Sequence, residues 1–357
     1  MDIKNFFKKS RKFYLLALLL LIFTVPLALS GCRDWGGSSG TSSSSPTSPV
    51  ASGNVWVANL GSNNVTELSP SGTVIGTYAV GSHSNAIAID SSGNVWVANF
   101  ISNNVTELSP SGTVIGTYAV GNSPCAIAID SSGNVWVANL SSNNVTELSP
   151  SGTVIGTYEV GIGPNSIAID SSGNVWVANN GSNSVTELSP SGTVIGTYAV
   201  GSPPNSIAID SSGNVWVANF DSNNVTELSP SGTVIGTYAV GNSPCAIAID
   251  SSGNVWVANN GSNSVTELSP SGTVIGTYAV GNQPGAIAID SSGNVWVAND
   301  GLNDTAGTAS DDSNVTELSP SGTVIGTYAA GSAPIGIAIE LSGNNGEYFP
   351  YNGPEWP

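Results

Sequence analysis

From residue 54 onward the chain is written in short apolar runs parted by small polar residues. Ala86-Ile87-Ala88-Ile89 leads into Asp90-Ser91-Ser92-Gly93, and Val95-Trp96-Val97-Ala98 into Ser102-Asn103-Asn104. Val105-Thr106-Glu107-Leu108 then ends at Ser109-Pro110-Ser111-Gly112, and Val114 to Val120 ends at Gly121. Runs of this length, rich in β-branched and aromatic residues and bounded by turn formers, read as strands. Asp90 can bond its own backbone two residues on, and Gly93 supplies a positive φ, so that tetrapeptide is a turn. No apolar pattern holds helical spacing for ten residues.

The whole unit then returns. Asn54-Val55-Trp56-Val57-Ala58-Asn59 recurs unchanged at Asn94, Asn134, Asn174, Asn214, Asn254 and Asn294, seven copies at a 40-residue period. A fixed period of this size marks a ring or array of identical supersecondary units. Four antiparallel strands repeated seven times predict an all-β, seven-bladed β-propeller. Small Ala86 and Ala88 suit a crowded inner ring, whereas Trp96 and Tyr118 suit the wedge that opens between blades away from the axis. The repeats begin on a second strand at Asn54 and end on a first strand, Gly336-Ile337-Ala338-Ile339-Glu340. The C-terminal first strand is therefore expected to close the ring and cover an otherwise open edge.

Outside the repeats the composition changes. Residues 1–31 carry a basic start (Lys4, Lys8, Lys9, Arg11, Lys12) and an apolar stretch from Phe13 to Leu29, the form of a secretory signal. Leu29-Ser30-Gly31-Cys32 resembles the lipobox of bacterial lipoproteins, which implies cleavage before Cys32 and its lipidation. Arg33, not Asp, follows it. Residues 32–53 form a Gly/Ser-rich tether. Residues 54–343 form the propeller and residues 344–357 a tail. The expected location is extracytoplasmic, held to the cell envelope by a lipid.

Charge removes whole classes of function. Residues 34–357 contain no Lys or Arg. With residues 1–31 removed, 23 acidic side chains face one Arg. No cation is available to neutralise phosphates, so nucleic acid is excluded as a partner. Two rings of carboxylates repeat with the unit. One is Asp90, Asp130, Asp170, Asp210, Asp250 and Asp290 with Glu340; the other is Glu67, Glu107, Glu147, Glu187, Glu227, Glu267 and Glu317. They read as turn-capping Asp and solvated strand Glu, since burying them uncompensated would cost several kcal/mol each. Cys125 and Cys245 lie three blades apart across a ring roughly 11 Å wide, too far for a bridge. They are expected as free, partly sheltered thiols. Asn-Val-Thr at Asn64, Asn104, Asn144, Asn224 and Asn314 matches a glycosylation acceptor but reads as a polar turn entering a strand.

Val-Trp-Val-Ala-Asn, then Gly-Ser-Asn-x-Val, then Thr-Val-Ile-Gly-Thr-Tyr-x-Val-Gly, then Pro-x-x-Ile-Ala-Ile-Asp-x-x-Gly-Asn resembles three related propeller families. These are the NHL repeat, the YVTN repeat of prokaryotic surface proteins and the virginiamycin B lyase family. The last resemblance implies a His base with acidic partners and magnesium. This chain has one His, His83, in a variable loop. The chain is also similar to gluconolactonase-like propellers, which implies a divalent cation at the channel mouth. Asn85, Asn165 and Asn205 occupy that place in three blades, with no carboxylate among them. No catalytic or metal-binding residue is therefore assigned; calcium or magnesium would be the ion if one binds.

The copies differ almost only in two loops, from second to third strand and from fourth to first. Both lie at one end of an antiparallel four-stranded blade. The expected binding face comprises Leu60, Phe100, Ile101, Leu140, Phe220, Asp221 and Asp300, with His83, Asn85, Asn165 and Asn205. Apolar side chains at loop tips on a rigid scaffold mark a partner surface. The function expected is a monomeric, membrane-anchored binding scaffold for a protein, peptide or glycan. The alternative is a propeller hydrolase or lyase, lactonase-like or virginiamycin B lyase-like, using a divalent cation at the channel mouth.

Overall fold

The computed structural model describes residues 53–301 and 313–340. The signal segment, Cys32, the tether, the inserted residues 302–312 and the tail lie outside the described residues. Seven four-stranded antiparallel sheets form seven blades. Blade 1 joins Pro334–Ile339 as its inner strand to Val55–Asn59, Asn64–Leu68 and Val74–Ala79. Blades 2 to 7 span residues 84–119, 124–159, 164–199, 204–239, 244–279 and 284–329, each running from inner to outer strand. The one helical turn among the described residues is a 3-10 turn, Asn260–Ser262. No described helix is long and apolar enough to cross a membrane.

Strand periodicity explains why the blades stack. Successive side chains point to opposite faces, and here both faces of the second strand are buried. One face of blade 1 offers Trp56, Ala58, Val65 and Ala338; it packs on Ile87, Val95, Val97 and Leu108 of blade 2. The same halves meet around the ring, so the seven Trp are at most 1% exposed. Each Trp stacks on the Tyr of its own outer strand, at 5.4 to 5.6 Å between ring centroids. Two glycines make room for each Tyr. A Cβ on Gly116 would collide with the Tyr118 hydroxyl, and one on Gly152 of blade 3, at φ +76°, with the Tyr118 ring of blade 2.

The glutamate ring differs from expectation. Glu107 is 4% exposed, not solvated. Compensation comes from neutral donors: Tyr118 Oη donates to Glu107 Oε2 at 2.7 Å and Asn94 Nδ2 donates to Oε1 at 3.1 Å. The other blades repeat this, except that Asn174 in blade 4 turns to Asp170. The aspartates cap turns as expected. Asp90 Oδ1 accepts from the Ser92 and Asn94 amides, while Oδ2 accepts from Trp96 Nε1 at 3.0 Å. Both rings thus serve the scaffold and lie away from the variable loops. Along the outer strands Val74 and Ile75, and their equivalents, are about half exposed. Ile75 is the extra residue of a bulge between Glu67 and Leu68, and a bulge twists an open edge away from pairing.

Candidate binding face

The two variable loops meet at one end of every blade. The Phe100 amide donates to the His83 carbonyl at 2.9 Å, and the Leu140, Asn180 and Phe220 amides donate to Ser123, Gly163 and Pro203. Neighbouring blades are laced as well. Asn63 Oδ1 accepts from the His83 amide at 2.7 Å, and Asn143 Oδ1 from the Gly163 amide at 2.8 Å. Asn63, Asn103 and Asn143 hold positive φ, a conformation Asn tolerates better than most side chains. Asn64 and its equivalents turn their amide oxygen to Asn59 and its equivalents, which agrees with a polar strand entry.

The expected face residues divide by depth. Leu60, Phe100, Leu140 and Phe220 are half-buried. Phe100 and Leu140 pack against the cluster containing Cys125, and Phe220 against the one containing Cys245. Ile101 is 54% exposed and Asp221 is exposed, whereas Asp300 is buried. Below them runs a ring from the inner strands. Asn85 Nδ2 donates to the Cys125 carbonyl at 3.3 Å, Cys125 Sγ to the Pro164 carbonyl at 3.1 Å, and Asn165 Nδ2 to Asn205 Oδ1. Asn205 Nδ2 continues to the Cys245 carbonyl at 3.4 Å and Cys245 Sγ to the Pro284 carbonyl at 2.9 Å. Each side chain ties its blade to the next. Both thiols are free and fully buried, more so than expected, and burial pushes them up to about 12.

This ring does not fit a magnesium or calcium ion. Hard cations take several carboxylate or carbonyl oxygens converging on one point. Here the amide nitrogens of Asn85, Asn165 and Asn205 are spent on neighbouring blades, Asn205 Oδ1 accepts from Asn165, and no carboxylate stands among the three. Among the described residues no three His, Cys, Asp or Glu side chains group as metal ligands. His83 stands at the rim at φ 57°, with Nδ1 buried and unpartnered. Burial pushes its imidazole below the ordinary value, so it is neutral at neutral pH.

Two exposed residues escaped the sequence reading. Ile162 is 63% exposed, where the other blades carry Ser or Asn; Glu159 is exposed, where all six others carry Ala. Each is a departure from its own repeat, which is the signal that marks it.

The model of a sequence family described as the virginiamycin B lyase family matches residues 41–306. The chain belongs to the virginiamycin B lyase family. Solved structures agree in fold. A streptogramin B lyase is 21% identical, with a TM-score of 0.64 over 71% of this chain and 91% of that one. A catalytically inactive histidine-to-alanine variant of virginiamycin B lyase from Staphylococcus aureus, with quinupristin, is 18% identical, at a TM-score of 0.61 over 69% and 83%. A putative 6-phosphogluconolactonase from Bacteroides fragilis is 15% identical, at 0.68 over 83% and 100%. No curated protein sequence matches the chain. Within the virginiamycin B lyase family this chain keeps the blades and carries a single His in the whole sequence.

Proposed function

We propose that this member of the virginiamycin B lyase family is a binding propeller, tethered outside the cytoplasm through Cys32 and engaging a partner with its variable face. The observation that carries the reading is the distribution of difference. The repeats are nearly identical in the outer three strands and in the turns of one face, yet diverge in the loops of the other face and in the first three residues of the inner strands that lead out of them. Drift alone would also mark the exposed Ser91-Ser92 turns, which stay constant in six of the seven copies and change only at Leu341 of the last. A pull-down from solubilised envelope tests it, with residues 33–357 as bait beside a Leu60→Asn/Phe100→Asn/Phe220→Asn variant. Asn already stands at the equivalent positions 180 and 260, so the variant keeps the fold. A partner held by the parent and lost by the variant supports the proposal; identical retention by both refutes it.

Family membership favours a second reading, a lyase or lactonase. The S. aureus enzyme is inactive with a histidine replaced, and His83 is the one His here that could take a proton. Elimination or lactone hydrolysis by the parent, lost in His83→Ala, would establish that reading. Activity that His83→Ala retains would remove it.

A further inference from the structure

Among the described residues sixteen large apolar side chains stand exposed, and fourteen of them are one pair, Val74 and Ile75, repeated in every blade at 48–52% exposure. The register puts this pair at one end of its sheet. In blade 1 Ile339, Val55, Leu68 and Val74 form a row across the four strands, while Asn59, Asn64 and Ala79 form the row at the other end, where the variable loops start. Blade 2 repeats the first row as Ile89, Val95, Leu108 and Val114. Val74 and Ile75 lie on the outermost strand. Seven Val–Ile pairs therefore crown the circumference of the constant face, opposite the variable loops.

The chain enters the ring at this same end. The Glu340 amide donates to the Asn54 carbonyl at 2.9 Å, one residue before Val55 of that row. Cys32 stands 21 residues before Gly53. A tether of that length averages roughly 25 Å end to end and stretches to about 70 Å. A lipid on Cys32 would therefore hold the constant face, not the variable one, beside a bilayer. Exposed aliphatic side chains at the attached end, repeated all round it, are surface that water does not reward and an apolar interface does. The depth of contact is limited. The pair stands on a strand whose outer edge has unpaired backbone groups, which need headgroups or water and cannot enter hydrocarbon. Charge does not drive the contact: residues 34–357 carry no Lys or Arg, and Asp90 with its equivalents ends the inner strands at this same face.

We infer that the constant face is a lipid-docking surface: its crown of Val–Ile pairs rests in the headgroup layer of a bilayer, and the variable face points away from the membrane to meet its partner. The inference rests on the reading of Cys32 as lipidated and adds an orientation to it. The test uses the full chain matured in cells and reconstituted into phosphatidylcholine vesicles. A nitrobenzoxadiazole label is placed in turn at Ile115→Cys, at Ile235→Cys three blades further round the ring, and at Ile101→Cys on the variable face. Native Cys125 and Cys245 are buried, so the label goes to the new thiol. All three positions are exposed, so melting temperature should hold. Lipid spin-labelled high on its acyl chain should quench the labels at 115 and 235 at least about threefold more strongly than the label at 101, because only those two reach the interface.

A second chain separates docking by the ring from attraction of the label itself. With Ile75→Thr and the same change at the other unlabelled blades, the chain should still float with the vesicles through its lipid, yet quenching at 115 should fall to the level seen at 101. Equal quenching at 101 and 115 in the parent overturns the inference. So does quenching at 115 without 235, which would mean a ring standing on edge, or quenching at 115 that the Thr chain retains. Flotation keeps the two readings apart. A parent that floats with its ring unquenched loses the docking surface and keeps the anchor; a parent that fails to float loses both.

Discussion

The indole Nε1 of Trp56 donates to Glu340 Oε1 at 2.8 Å, across 284 residues of chain. In blades 2 to 7 the same indole bond goes to an Asp only six residues away. Blade 1 borrows its carboxylate from the other end of the ring, along with its whole inner strand. Glu340 is therefore the latch of a closed structure. Glu340→Ala should cost about 1–3 kcal/mol by chemical denaturation, the penalty for a buried donor left unpaired. Glu340→Gln keeps an acceptor oxygen and should stay within about 1 kcal/mol of the parent. Equal losses from both would contradict the latch.

The stacked Tyr is held by its hydroxyl and by glycine beneath it. Tyr118→Phe removes the donor to Glu107 and should cost about 1–3 kcal/mol. Gly152→Ala puts a Cβ into the Tyr118 ring at a positive φ, so two penalties combine. It should destabilise more than Tyr118→Phe in the same denaturation assay. A neutral Gly152→Ala would show that blades 2 and 3 do not meet through this ring.

Stability should fall as pH rises, in two windows. Burial pushes Glu107, Glu147, Glu187, Glu227, Glu267 and Glu317 above the ordinary glutamate value, against the opposing Tyr hydrogen bonds. The native state then holds protons that the unfolded chain has released. This stability is full below the ordinary value and is lost as pH rises through the raised one. The Tyr hydroxyls, Tyr118 among them, are pushed up to about 12 from 10.0 by burial and the adjacent Glu. Their share is lost between about pH 10 and 12 by the same sign. Melting temperature should be higher at about pH 5 than at about pH 8, and should drop again above about pH 10. A rise between pH 5 and 8 would contradict buried glutamates.

Cys125 and Cys245 should resist alkylation in the native body. Their sulfurs are buried and bonded to carbonyls of the next blade, and the thiolate is the reactive form. With residues 33–357, iodoacetamide should add to neither thiol at neutral pH and to both after unfolding. Rapid native labelling of one would show that the ring opens there.

The ring, its strands and its closure were legible because the 40-residue period forces one answer on every copy. The burial of Glu107 was not. A charged residue on a strand reads as solvated until its partners are known, and Asn94 and Tyr118 lie 13 and 11 residues away. Only the register that sets Trp96 against Glu107, and Glu107 against Gly116, brings those donors over it. The outer Val114 and Ile115 mislead the other way: they are apolar, β-branched and still half exposed, because nothing pairs with the outermost strand of a blade. On the variable face the loops were placed at the right end of each blade, but Asn85, Asn165 and Asn205 belong to the buried inner strands rather than to the loop, and the depth of Phe100 and Phe220 was not foreseen. Whether a loop aromatic stands out or folds over the neighbouring inner strand depends on the next blade, which the repeat pattern does not encode.

The central claim is that the variable face meets a partner. A photo-crosslinking amino acid at Ile101, or at Ser91 on the opposite face, in the full chain in intact cells tests it most directly. Both sites are exposed. The account predicts a discrete heavier adduct from position 101 and none from position 91. Adducts from both positions, or from position 91 alone, would contradict it.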